Sequence, residues 1–223
     1  MIIDKVNDYE AFAALVEKMG FMPFANNKVG YPNLDSLTDN EWHTGEETDP
    51  WRWRVRIERD HRALFGKFFF GNPGFISTSR IADFASVRRN GLVFDELYFD
   101  GVLPRECKPI YDAIEDEGVL AVHEIKTICR FDKSSNAKFE SAMKAMQMYM
   151  LITISGQKRK FNKRGEEYGW PSNAFSTLET WVGGEVEYID YGQAKENILD
   201  TMKIYISEFD EKKAGKMIGG IRG

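Results

Sequence analysis

The stretch His43-Thr44-Gly45-Glu46-Glu47-Thr48-Asp49 sets an imidazole among three carboxylates, directly ahead of Trp51-Arg52-Trp53-Arg54-Val55-Arg56. A carboxylate near an imidazole is ordinary equipment for activating water. Asp49, Glu46 and His43 are therefore the candidates for hydrolytic chemistry, although the same loop also reads as a polar lead-in to a helix capped by Asp49. Trp51 and Trp53 offer flat faces on which an exposed nucleobase stacks, and they equally suit a core. A second stretch, Gln157-Lys158-Arg159-Lys160-Phe161-Asn162-Lys163-Arg164-Gly165-Glu166-Glu167, holds five basic residues within seven positions. Cations of this kind neutralise nucleic-acid phosphates and make binding salt-dependent. A charged hairpin tip also protects edge strands.

Little else in the chain carries chemistry. The histidines, His43, His61 and His123, form no Ser/Asp arrangement, and Cys107 and Cys129 lack a second Cys/His pair at ligand spacing. No catalytic group beyond the loop above, no metal and no cofactor is expected, since neither phosphate-loop nor dinucleotide glycine spacing occurs. The net charge of −5 over 223 residues excludes a bulk polyanion binder, so any nucleic-acid contact must come from a local basic face. The N-terminus carries Asp4, Asp8 and Glu10 and no apolar core, and no apolar run approaches the roughly 20 residues of a membrane span. A reduced, cytoplasmic protein that does not engage membranes is the expectation.

These side chains need elements to hold them. Residues 7–19 read as an amphipathic helix with Asn7 as cap, Glu10 in capping-box spacing and Gly20 as stop. Residues 21–48 read as an ordered loop with one short helix near Asn33–Leu37. Asp49 suits the cap and Pro50 the first position of the Trp/Arg helix. "GKFFFGNPGFISTS" reads as a hairpin turning at Asn72-Pro73-Gly74, followed by a helix over 79–89.

Residues 103–170 are the most legible. They predict a helix over 104–118 with Cys107, Ile110, Tyr111 and Ile114 inward, a second with Ile125, Ile128 and Cys129 inward, and a third with Phe139, Met143, Met146 and Met150 in a stripe. Two strand-like runs then flank the basic tip. Three short helices closed by a hairpin is the winged helix-turn-helix pattern, with the tip as the wing. The third helix would present Lys138, Ser141 and Lys144, with Ser134, Ser135 and Asn136 at its start as phosphate donors. The wing would present Lys158, Arg159, Lys160, Lys163 and Arg164. A last helix over about 192–212 and a frayed Gly-rich tail complete the chain. The fold class is α+β, predominantly helical, in three parts: 1–102 with a small hairpin, 103–185 as the winged module, and 186–223.

The runs "WHTGEETDPWRWRVR", "LFGKFFFGNPGFIS", "IYDAIEDEG", "HEIKTICRF" and "EYGWPSNAFSTLETW" resemble the AlkZ-related proteins. These are short bacterial relatives of the winged-helix alkylpurine DNA glycosylases of the AlkZ or YcaQ type, and the resemblance spans roughly residues 20–185. It implies winged-helix modules that bind double-stranded DNA in repair or regulation. The glycosylases use a Gln (or His), apolar, Gln/Asp motif to activate water. Here Gln147-Met-Tyr, Gln157-Lys-Arg and Gln193-Ala-Lys do not complete it, nor do His43-Thr-Gly, His61-Arg-Ala and His123-Glu-Ile. The expected function is DNA binding without catalysis. A diverged glycosylase and a protein–protein interaction module are the alternatives.

Overall fold

In a computed structural model that describes residues 3–162 and 164–219, helix α1 (Tyr9–Met19) is capped by Asp8 rather than Asn7. The Asp8 carboxylate accepts the Ala11 N–H at 2.8 Å, and Gly20 ends the helix with φ of 78°. Strand β1 (Phe21–Pro23), helix α2 (Leu34–Leu37), helix α3 (Pro50–Arg59) and strands β2 (Ala63–Phe69) and β3 (Asn72–Ser77) follow. The β2–β3 turn sits at Phe70-Gly71, both at positive φ (53° and 74°), as a two-residue turn between right-twisted strands requires. Asn72, Pro73 and Gly74, expected as the turn, lie inside β3, where Gly74 pairs with Gly66 and Asn72 with Phe69.

A short 3-10 turn (Thr78–Arg80) leads into α4 (Ile81–Arg89) and α5 (Phe94–Phe99). Then come α6 (Cys107–Glu117), β4 (Leu120–Ala121), α7 (Val122–Ile128), α8 (Asn136–Met148), β5 (Ile152–Lys158), β6 (Ser172–Thr177) and α9 (Leu178–Val182). The final helix expected over 192–212 is two, α10 (Tyr191–Tyr205) and α11 (Glu211–Ile218). Ile206 turns extended, and Asp210 recaps the chain by accepting the Lys213 N–H. Residues 220–223 of the tail expected to fray lie outside the described residues. Of the apolar positions assigned inward on α7, Ile125 is buried but Ile128 is 51% exposed, because a helix this short turns only one side to the sheet.

The result is a mixed helix and strand fold with two small antiparallel sheets. The element order of 9–77 repeats in 107–177: helix, short strand, two helices, then two strands. The strand order repeats too, β1-β3-β2 and β4-β6-β5, so the short first strand of each half pairs with the last. Register follows the same rule. Phe75 faces Phe65 and Phe175 faces Ile154, and each outer strand then breaks register, at Gly66–Phe69 and Ile154–Gln157.

The halves interlock. Helix α3 packs on β5, α8 on β2, and β2 lies beside β5. The Gln147 side-chain carbonyl accepts the Lys67 N–H at 3.0 Å, and the Trp181 indole donates to Glu58 at 3.2 Å. One continuous apolar cluster runs from Phe12 and Phe21 through Phe75 and Phe84 to Ile114, Phe139 and Met146. Two buried arginines brace it. Arg88 donates to the carbonyls of Phe68, Met148 and Ile218, and Arg89 to those of Tyr149 and Met150 and to Glu179.

Candidate nucleic-acid interface

The interlock leaves an open cleft of about 1650 Å³ between the halves. The 43–49 loop, α3 and β2 form one wall, and α8, β5 and the Gly169–Pro171 end of the β5–β6 hairpin form the other. Pockets for small ligands run roughly 300–1,000 Å³, so this cleft is larger than an ordinary small-ligand pocket. Helix α3 places its residues because its alternating Trp/Arg sequence splits between two sides. Trp53 faces the core, 1% exposed, stacked 5.5 Å from Phe12 with its indole N–H on the Glu47 carbonyl. It cannot take a base. Trp51 faces the cleft, 39% exposed, edge-on to Phe24 with the His43 ring 4.7 Å away.

The hydrolytic candidates are held in other roles. Asp49 is buried, and its carboxylate accepts the N–H groups of Trp51 (2.8 Å), Gly45 (3.0 Å) and His43 (3.1 Å). Burial pushes its pKa up, but the three backbone donors outweigh it and hold the carboxyl below the usual range. Asp49 is the cap of α3 and the knot that folds the 43–49 loop back on itself. His43 bears a left-handed φ of 63° and rests on Trp51. Glu46 is exposed and outside the cleft lining, and the Glu47 side chain points to Arg56 at 3.7 Å. Among the described residues, no group of three or more His, Cys, Asp or Glu could hold a metal. Burial pushes the Cys107 thiol up to about 12, which leaves it inert at neutral pH.

The third helix of the 107–177 half, α8, shows which of the expected contact residues are free. On α8, Lys138, Ser141 and Lys144 are exposed, but Met143, Ala145, Met146 and Gln147 are buried. The second half of the helix is packed on β2, which leaves Lys138, Ser141 and Lys144 on its open side. Lys144 also lays its stem against Gly71, where a Cβ would come within 2.8 Å of it, and Lys138 lies 4.0 Å from Glu106. The start of α8 is not free for phosphate. Ser134 and Ser135 donate their N–H and hydroxyl groups to Asp132, which holds that carboxyl down at about 2, and Asn136 receives Lys126 at 2.7 Å. An ionised carboxylate at this position repels a phosphate.

The basic tip divides as well. Lys158 is tied down, its ammonium donating to the Val119 carbonyl and to Glu124, each at 2.8 Å. Arg159 pairs with Glu167 at 2.5 Å across the wing. Lys160 and Arg164 form no ion pair with the described residues, while Lys163 lies outside them. Asn162 shapes the tip by accepting the N–H groups of Arg164 and Glu166. The β5–β6 hairpin also displays Phe161, Tyr168 and Trp170, and Trp170 is 87% exposed where the hairpin meets the cleft. Sequence reasoning about single residues missed Trp170. Its signal was an aromatic next to Gly169 and Pro171, at the foot of a basic hairpin.

Within the cleft most charges are matched. Arg56 lies between Glu10, Glu47 and Asp60, Arg59 beside Asp60, and Lys67 beside Glu140. Arg52 and Arg54 are the exceptions. Arg52 donates to the Gly45 carbonyl and has no carboxylate partner among the described residues. No helix among the described residues is long and apolar enough to cross a membrane.

Sequence comparison matches residues 6–219 to a protein family described as AlkZ related. No curated protein matches the chain. Among solved structures, the Streptomyces sahachiroi DNA glycosylase AlkZ aligns with a TM-score of 0.49 at 12% identity, over 89% of this chain and 51% of that one. The chain spans about half the length of that protein.

Proposed function

Because this chain belongs to the AlkZ-related family, we propose that it binds double-stranded DNA without cleaving it, through the cleft between its two halves. The observation that supports this reading is the pair of exposed indoles, Trp51 on one wall beside Arg52 and Trp170 on the other, at the foot of the hairpin that carries Lys160 and Arg164. Aromatic faces beside unpaired cations suit a strand whose bases are partly exposed and whose phosphates need neutralising. The order of helix, strand, two helices and hairpin in each half supports reading both as winged helix-turn-helix units, with a long wing in the second half and a two-residue turn in the first. The wing tip lies along the backbone, and the cleft takes the strand it leads in. The α8 helix contributes Lys138 and Ser141 at the rim and does not read a groove along its length.

The reading includes no hydrolytic step, because Asp49 is saturated with backbone donors, Glu46 lies outside the cleft lining and Glu47 is turned to Arg56. Side-by-side anisotropy titrations with plain duplex, alkylated duplex and single strand test it, together with a base-excision assay on the alkylated duplex. Binding to duplex at low salt with no base released is the expected outcome. Release of an alkylated base would establish the enzymatic alternative, and no binding to any of the three would remove DNA as the ligand.

A further inference from the structure

Arg54 sits on the floor of the cleft, 7% exposed, with its guanidinium 3.9 Å from the centre of the Trp51 ring and 5.8 Å from that of Phe65. It has no hydrogen bond or ion pair among the described residues, and its Nε is buried without a partner. The other buried arginines show what this chain does with such a group when its role is internal. Arg88 and Arg89 are each saturated by carbonyls, and Arg89 also by Glu179 and the Tyr188 hydroxyl. A buried cation left unpaired is costly. Asp49 acts on Arg54 through its charge alone: its carboxylate is already engaged by three N–H groups and forms no bridge to Arg54.

We propose that Arg54 is an anion-binding residue that receives one phosphate of a nucleic-acid strand in the cleft, with Trp51 holding the guanidinium in place. The indole covers one face of the guanidinium, which leaves the in-plane N–H groups as the only way to bind, and a planar fork of donors matches two phosphate oxygens. The stack fixes the plane in advance, so little side-chain freedom is lost on binding. Asp49 contributes indirectly, because it folds the 43–49 loop and so sets His43 against Trp51. The inference deepens the reading of the cleft as a DNA site and names the group it grips.

Nε–Hε signals of arginine-labelled protein, with Arg54 assigned by its absence in Arg54→Lys, provide the test. Inorganic phosphate titrated at constant ionic strength should shift the Arg54 signal saturably in the millimolar range and leave those of Arg88 and Arg89 in place. A duplex oligonucleotide should shift the same signal, and Arg54→Gln should weaken duplex binding about tenfold or more. A phosphate-dependent shift in a protein that binds no duplex would uphold the anion site while removing the DNA reading. An Arg54 signal unmoved by both phosphate and bound duplex, or duplex affinity unchanged in Arg54→Gln, would overturn the proposal.

Discussion

Asp49 illustrates how residue type underdetermines role. Its position before Pro50 makes it legible as a cap, and it is one, but its closeness to His43 and Glu46 also suggested chemistry. The structure separates these by counting donors: three backbone N–H groups occupy the carboxylate. Replacing it with Ala should cost about 2 kcal/mol of unfolding free energy in a denaturant titration, one cap plus stranded loop donors. The pH dependence has a fixed sign. The folded carboxyl titrates below its unfolded value of about 4, so its stabilisation is complete above that pH and fades as pH falls below it. Asp49→Ala should therefore lose less stability than wild type between neutral pH and acid. The Trp51/Trp53 ambiguity was beyond sequence for a similar reason. Residues two apart on a helix face different sides, and only the packing of Phe12 against α3 decides which is core.

At the scale of elements, the helices of the 107–177 half and the basic hairpin were legible, because their apolar spacing and turn residues are strong local signals. The two shortest strands were not. β1 and β4 span three and two residues, too short for any periodicity, and each completes its sheet only by pairing with a strand about 50 residues further on. That omission also hid the partners of Lys158. Its ammonium partners, the Val119 carbonyl and Glu124, flank β4 and become neighbours only when β4 joins β6. Lys158→Ala should lower stability by about 1 kcal/mol or less, given that both charges are partly exposed. It should leave the salt dependence of DNA binding unchanged. Lys160→Ala with Arg164→Ala should do the reverse, lowering the slope of log K against log salt by about 2 without changing the unfolding midpoint. Equal effects from the two variants would mean that the wing acts as one undivided charge.

For the whole molecule, the repeated topology was hidden because almost no sequence repeats. Its faint trace is Phe75-Ile76-Ser77 against Phe175-Ser176-Thr177, the ends of β3 and β6 in matching register. The interlock of α3 with β5 and α8 with β2 makes each half part of the other's core, so calorimetry should show a single cooperative transition. Gln147→Ala, which strands the Lys67 N–H, should lower that transition by the equivalent of about 1–2 kcal/mol. The same interlock creates the cleft, and the account depends on the cleft meeting DNA. The most direct measurement is duplex affinity as a function of salt for the wild type and for Arg52→Ala/Lys160→Ala/Arg164→Ala. Counting the Arg54 phosphate with those at Arg52, Lys160 and Arg164, the account predicts a wild-type slope of about −4 that falls to about −1 in the triple variant. A protein that binds no duplex at low salt, or a triple variant with the full slope, would contradict it.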